Sequence, residues 1–196
     1  MMDLVKGAFK GFEHGIKEWD EPVKRQRSDG TWVVGRPTRG FGEGVFSYAG
    51  KEYKPEPWPD MVLEIKRHAE AVLAVRYGFM GDLTFCLAGL YPTGHDGIPH
   101  HSDTVPSEDD LVVSISFGAP RTFEVKRYVR NIKDHSNTSD TFIDRQHDNP
   151  FKTETYLLED GDCIIFDGMS QMKSTHAVPP VTGVGERVNL TFRTGL

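Results

Sequence analysis

Seven short runs of strand-like sequence follow one another in the second half of the chain and limit the folds open to it. They cover 83–91, 111–117, 121–129, 155–158, 163–166, 172–178 and 187–193. Glycine, proline and aspartate separate the runs, as expected for turns between strands. Short strands at these intervals are typical of a β-sandwich or jelly roll, so we expect a mainly β fold with flanking helices.

Helical spacing appears only before these strands. Pro59 and Asp60 suit the first turn of a helix, and the buried stripe that follows them ends near Gly78. Residues 1–27 also carry apolar side chains at intervals of three to four, which predicts an N-terminal amphipathic helix packed on the body. Docking of that helix to a membrane or a partner is the alternative.

Composition fits an intracellular globular protein. The 196 residues are 37% hydrophobic and 27% charged, with a net charge of −6. No apolar run approaches the roughly 20 residues that a membrane span needs. Cys86 and Cys163 lie in apolar runs, which favours reduced thiols in the core. The net charge excludes a globally basic nucleic-acid binder, although residues 121–133 carry five basic side chains and one acidic one.

A candidate metal site comes from His101, Asp103 and His176. His101 and Asp103 stand two apart, so on a strand their side chains project to the same side. Two histidines and one carboxylate form the facial triad that leaves coordination positions on Fe(II) open. His100 would point to the opposite face, and His95 lies in a glycine-rich turn, so neither is expected to bind the metal.

The last strand predicts an anion site. Arg187, Asn189, Thr191 and Arg193 alternate with apolar residues and therefore share one face. Two arginines that point into a barrel need an anion to balance them. They stand six residues apart, about 20 Å along a strand, so we expect them to serve different groups.

The chain from 35 to 193 resembles the AlkB family of Fe(II)- and 2-oxoglutarate-dependent dioxygenases, especially its animal repair and plant-virus members. The resemblance is carried by LYPTGHDGIPHHSD, VSISFGAPRTF, LLEDGDCIIF and RVNLTFR. It implies a double-stranded β-helix (jelly roll) that uses Fe(II), 2-oxoglutarate and O2. It also implies that His101, Asp103 and His176 bind iron.

For the co-substrate, the resemblance implies that Arg187, Asn189 and Tyr91 hold the distal carboxylate. Arg193 would serve the metal-proximal end. The family often has asparagine two residues before the tyrosine, whereas this chain has Gly89.

The resemblance further implies a nucleotide-recognition lid over residues 28–57, within a dioxygenase domain that spans 28–196 and has its jelly-roll core at 83–193. Aromatic rings stack on bases and arginine pairs with phosphate. The candidate substrate contacts are Arg36, Phe41, Trp32, Tyr48 and, from the basic run, Arg121. Hairpin core aromatics and surface arginines are the alternative interpretation of the lid residues.

The expected activity is oxidative demethylation of N-alkylated bases in DNA or RNA, with release of succinate, CO2 and formaldehyde. The alternatives are hydroxylation of a protein or small molecule, and a non-catalytic jelly-roll binding module. We expect a monomer that acts on single-stranded nucleic acid and not on membranes. Val105 stands where repair members usually carry an acid, so either Glu108, Asp109 or Asp110 replaces that acid or the enzyme recognises the base mainly by stacking. The polar loop 131–149 has no assigned role.

Overall fold

The described residues form two antiparallel sheets and two separate hairpins. A computed structural model describes residues 2–26, 30–43, 46–48, 51–103, 109–128 and 150–194. The strands before the long helix are β1 (Met2–Val5), β2 (Lys24–Gln26), β3 (Trp32–Val34), β4 (Thr38–Gly42), β5 (Phe46–Tyr48) and β6 (Lys51–Tyr53). Helix α1 (Asp60–Tyr77) follows, and then come β7 (Phe85–Tyr91), β8 (Ile98–His101), β9 (Leu111–Gly118), β10 (Arg121–Arg127), β11 (Lys152–Leu158), β12 (Cys163–Asp167), α2 (Gly168–Lys173), β13 (Ser174–Val178) and β14 (Arg187–Arg193).

The larger sheet has six strands in the order β1-β12-β9-β14-β7-β4, and the smaller has four in the order β11-β10-β13-β8. In hairpins β2-β3 and β5-β6 the two strands pair with each other and with no other described strand. The two sheets and the few helices form a jelly roll, as the sequence predicts.

The two faces of β14 separate the core into two parts. Val188, Leu190 and Phe192 are buried in the larger apolar cluster, which also includes α1. A second cluster combines Tyr91 of the larger sheet with Phe123 of the smaller one and lies between the sheets. The alternating polar residues of β14 therefore project into the space between the sheets, where the site forms.

Helix α1 confirms the prediction made from Pro59 and Asp60. It buries Val62, Ile65, Ala69 and Leu73 against the larger sheet. It ends at Gly78, whose φ of 67° and bonds to the last turn form a left-handed cap.

The N-terminal helix was a wrong prediction. Met2–Val5 is a strand that pairs with β12 and extends the larger sheet, and no helix occurs in residues 2–26. Gly7, Gly11 and Gly15 adopt φ values of 61°, 87° and 66°, which a right-handed helix excludes. The apolar residues nevertheless pack on the body, because Phe9 is fully buried and its N–H donates to the carbonyl of Gly161.

Two further boundaries differ from the prediction. Residues 168–173 form a short helix, so the strand predicted over 172–178 begins at Ser174. Part of the predicted lid is sheet, because β4 is the edge strand beside β7. The loop 131–149 lies outside the described residues. Within the described ranges, no helix combines the length and apolarity needed to cross a membrane.

Candidate active site

Three side chains from two neighbouring strands meet at one point. His101 ends β8 and lies directly opposite His176 of β13 in the sheet register. Asp103 follows β8, with one carboxylate oxygen 3.8 Å from Nε2 of His101 and the other 3.6 Å from Nε2 of His176. The ligand atoms of all three lie within 4.8 Å of one another. This spacing allows one small cation to contact all three side chains.

The protonation states suit metal binding. Burial lowers the pKa of His101, although Asp103 opposes the shift. Burial lowers the pKa of His176 to about 3, and the charge of His101 acts in the same direction. Burial alone would raise the pKa of Asp103, but Arg193 and the two histidines hold it well below its usual range. The site therefore offers neutral imidazoles and an ionised carboxylate at physiological pH.

Hydrogen bonds and an ion pair orient His101 and Asp103, and a ring contact orients His176. Nδ1 of His101 lies 2.8 Å from the carbonyl of Pro99, which leaves Nε2 as the ligand atom. The ring of His176 stacks on Phe123 at 5.1 Å between ring centres. Arg193 donates to Asp103 at 2.9 Å. The metal-proximal role expected for Arg193 therefore takes the form of an ion pair with a candidate ligand.

Gln171 ties Asp103 to the strand of His176. Its side-chain oxygen accepts from the backbone N–H of Asp103 at 3.0 Å and from the hydroxyl of Ser102 at 3.1 Å. Gln171 is 1% exposed and lies on α2, directly before β13. The sequence analysis missed this residue, and a lone glutamine in a short polar run carried no signal for it.

A cavity of about 440 Å³, including its open mouth, extends from the triad along the inner face of the larger sheet. Its polar wall comes from alternating residues of β14 and from Arg36, with Tyr91 of β7 beside them. The shared face of Arg187, Asn189, Thr191 and Arg193 is thereby confirmed.

Arg187 forms the far end of this cavity. It is 1% exposed and donates to the hydroxyl of Ser116 through Nε at 3.2 Å and Nη2 at 2.8 Å. Its Nη1 is buried and has no hydrogen-bond partner. Burial lowers the pKa of this guanidinium. A buried arginine with a free donor is built to receive an anion.

Asn189 and Tyr91 shape the space beside Arg187. The guanidinium carbon of Arg187 lies 4.8 Å from the centre of the Tyr91 ring. Asn189 donates to the hydroxyl of Ser114 and the carbonyl of Ile115, both at 2.9 Å, and accepts from Thr191 at 3.1 Å. In this arrangement the amide of Asn189 links β14 to β9 in the wall of the cavity.

The structure places the predicted substrate contacts in different environments. Arg36 lines the cavity, and Trp32 is 65% exposed on the β2-β3 hairpin. Phe41 was a wrong prediction, because it is 2% exposed in the larger core cluster. The side chain of Tyr48 lies outside the described residues.

Arg121 was also wrong as a substrate contact. It is 1% exposed and donates to the carbonyls of Thr93, Asp96 and Pro179. These bonds brace the loops beyond β7 and β13. Among the described basic residues of this run, Arg121 is therefore turned inward and Arg127 is paired with Glu154.

The other candidate residues fall outside the metal cluster. His100 faces Glu124 and Thr175 on the other side of the smaller sheet, and His95 lies in the turn after β7. Asp110 accepts a hydrogen bond from Thr194 and does not line the cavity. Val105 and Glu108 lie outside the described residues.

The residues present fit Fe(II) and 2-oxoglutarate. Two neutral imidazoles and one carboxylate match the ligands of non-haem Fe(II) oxygenases and leave further positions open. The unfilled donor of Arg187 at the other end of the same cavity fits a carboxylate.

Comparisons with known proteins agree with this chemistry. The human protein named "Alpha-ketoglutarate-dependent dioxygenase alkB homolog 3" is 30% identical over 182 residues, which is 89% of this chain and 58% of that protein. Its counterpart from Bos taurus is 29% identical over the same shares. The chain thus spans less than two thirds of the length of these relatives. A solved structure described as "The structure of OsALKBH1" superimposes with a TM-score of 0.53 at 18% identity, covering 98% of this chain and 97% of that one, and supports the fold.

The family itself follows from the match of residues 31–193 to the sequence model described as "2OG-Fe(II) oxygenase superfamily". These residues include the triad, the cavity wall and all of β14. The chain therefore belongs to the 2OG-Fe(II) oxygenase superfamily.

Proposed function

We propose that this protein is an oxidative demethylase of N-alkylated nucleobases in DNA or RNA that uses Fe(II), O2 and 2-oxoglutarate. The observation that carries the proposal is the cavity with the His101, Asp103 and His176 cluster at one end and the partly unsatisfied Arg187 at the other. Similarity to AlkB homologues supports the choice of nucleobases.

In this proposal each residue of the cavity has a distinct task. His101, Asp103 and His176 would hold Fe(II), which when bound supplies the redox chemistry that couples O2 and 2-oxoglutarate to hydroxylation of an alkyl group. Arg187 would bind the distal carboxylate and thereby set the direction in which the co-substrate lies. Arg193 holds one oxygen of Asp103 and so limits how that carboxylate can turn.

The product follows from ordinary carbonyl chemistry. Hydroxylation of an N-methyl group gives an N-hydroxymethyl group, in which carbon carries both nitrogen and oxygen. The hydroxyl then gives up its proton, the C–N bond breaks with its electron pair going to the nitrogen, and the carbon leaves as formaldehyde. Oxidative decarboxylation of 2-oxoglutarate gives succinate and CO2.

The substrate is proposed to be single-stranded and the protein a monomer inside the cell. Unpaired bases need no energy to be taken out of a duplex. The net charge of −6 gives little attraction to the phosphates of a duplex. Trp32, with 65% of its surface exposed, is available to stack on a base.

The test is demethylation of oligonucleotides that carry 1-methyladenine or 3-methylcytosine, single-stranded and in duplex, with nucleosides analysed by mass. Succinate is measured in parallel. We expect base repair with faster turnover of single strands. Faster repair of duplexes would refute the strand preference. Succinate formation without repair of any methylated base would refute nucleobases as the substrate and leave hydroxylation of a protein or small molecule.

A further inference from the structure

The guanidinium of Arg36 occupies the place where a side chain at position 89 would lie. Gly89 pairs with Thr38 on one side and with Asn189 on the other. A Cβ added at Gly89 would stand 2.5 Å from Nε of Arg36 and 3.2 Å from its Nη2. The absence of a side chain at 89 is therefore what allows Arg36 to reach the inner wall.

Arg36 and Arg187 face the same aromatic ring. Their guanidinium carbons lie 5.0 and 4.8 Å from the centre of Tyr91, and both arginines line the cavity. Among the described residues that line it, Asp103 is the one carboxylate, and it is paired with Arg193. The Arg187 end of the cavity thus concentrates positive charge that a bound anion would balance.

We propose that Arg36 and Gly89 act as one unit that binds the distal carboxylate of 2-oxoglutarate together with Arg187. The inference rests on the proposed function and assigns Arg36 to the co-substrate instead of to a nucleic-acid phosphate. A carboxylate has two oxygens, and each can accept from a different guanidinium. Gly89 is required because any larger residue displaces Arg36.

The first experiment measures binding of 2-oxoglutarate to the Mn(II)-loaded protein by calorimetry, without nucleic acid. Arg36→Met removes the charge and keeps much of the stem. We expect it to raise the Kd for 2-oxoglutarate by about 10- to 100-fold, the range for loss of a hydrogen bond to a charged group. Arg39→Met is the matched control, because Arg39 lies three residues further on and pairs with Glu56 and Glu18.

The second experiment tests whether Gly89 acts through Arg36. Gly89→Ala should raise the Kd by a similar factor, because the methyl group pushes the flexible arginine aside. Addition of Gly89→Ala to Arg36→Met should raise the Kd no further. Binding of 2-oxovalerate, which lacks the distal carboxylate, should be insensitive to Arg36→Met.

Each outcome decides the inference. If Arg36→Met leaves the Kd for 2-oxoglutarate unchanged and raises only the KM for the oligonucleotide, Arg36 serves the substrate and the inference is wrong. Independent, additive effects of Arg36→Met and Gly89→Ala would also overturn it. If the wild type does not bind 2-oxoglutarate at all, the proposed function fails together with it.

Discussion

Replacement of Arg187 by methionine separates a binding role from a structural one. Arg187 is 1% exposed, and one of its nitrogens has no partner without ligand. Loss of one member of a buried charge pair costs about 2–5 kcal/mol. At about 1.4 kcal/mol per tenfold change, Arg187→Met should raise the Kd for 2-oxoglutarate by about 30- to 4,000-fold.

The same variant should not destabilise the ligand-free protein. Arg187 donates to the hydroxyl of Ser116, and a hydroxyl can rotate, so among the described hydrogen bonds its removal leaves no carbonyl without its donor. The melting temperature should therefore stay close to that of the wild type. Calorimetric titration with 2-oxoglutarate and a thermal melt of the ligand-free protein measure the two quantities.

Arg121→Met is the matched control. Arg121 is equally buried and lies 5.5 Å from the same Tyr91 ring, but it donates to three carbonyls. Each carbonyl left without a donor costs about 1–3 kcal/mol. A total loss of about 3 kcal/mol or more should lower the melting temperature by at least about 6 °C in a domain of this size. The reasoning is refuted if Arg187→Met melts early with normal 2-oxoglutarate binding while Arg121→Met melts normally.

Three further outcomes are expected. Alanine at His101, Asp103 or His176 should abolish both the binding of Mn(II), measured by electron paramagnetic resonance, and the formation of succinate. If all three variants keep both properties, the metal assignment is wrong. In metal-free protein, burial lowers the pKa of His176 from 6.5 to about 3, so below pH 6.5 the unfolded chain binds a proton that the folded one does not. The free energy of unfolding should therefore be highest above pH 6.5 and fall by up to about 1.4 kcal/mol per pH unit below it. Urea titrations at several pH values should show a smaller fall of this free energy with pH for His176→Phe. Gly161→Ala should destabilise the protein by about 2 kcal/mol or more in urea titrations. Gly161 has a φ of 78°, and a methyl group there would stand 2.5 Å from the backbone nitrogen of Lys10. An unchanged urea midpoint would contradict this prediction.

Sequence predicted the site where alternation alone determines orientation. On β14, the polar and apolar residues alternate without interruption, so one face had to carry Arg187, Asn189, Thr191 and Arg193. The HxD spacing likewise placed His101 and Asp103 together, and the structure confirms the predicted third member, His176, opposite His101.

Orientation was not predictable where tertiary packing decides it. Phe41 stands on an edge strand between glycines, where no alternation indicates which side is buried. Arg121 resembled a surface charge, because the carbonyls that it satisfies come from loops 25 and more residues away in sequence. The place of Arg36 depends on a missing side chain at Gly89 in a different strand, and sequence alone does not join the two.

Because β14 lies at the centre of the larger sheet, local stability should differ between the sheet and the hairpins. Its amides bond to strands on both sides over all seven residues, so their hydrogens should exchange with solvent only when the whole domain opens. Hairpins β2-β3 and β5-β6 bond only to themselves among the described strands, and their amides should exchange by small local openings. The wall formed by β14 is thus held rigid without the two hairpins, whose sequence and motion can vary without disturbing it.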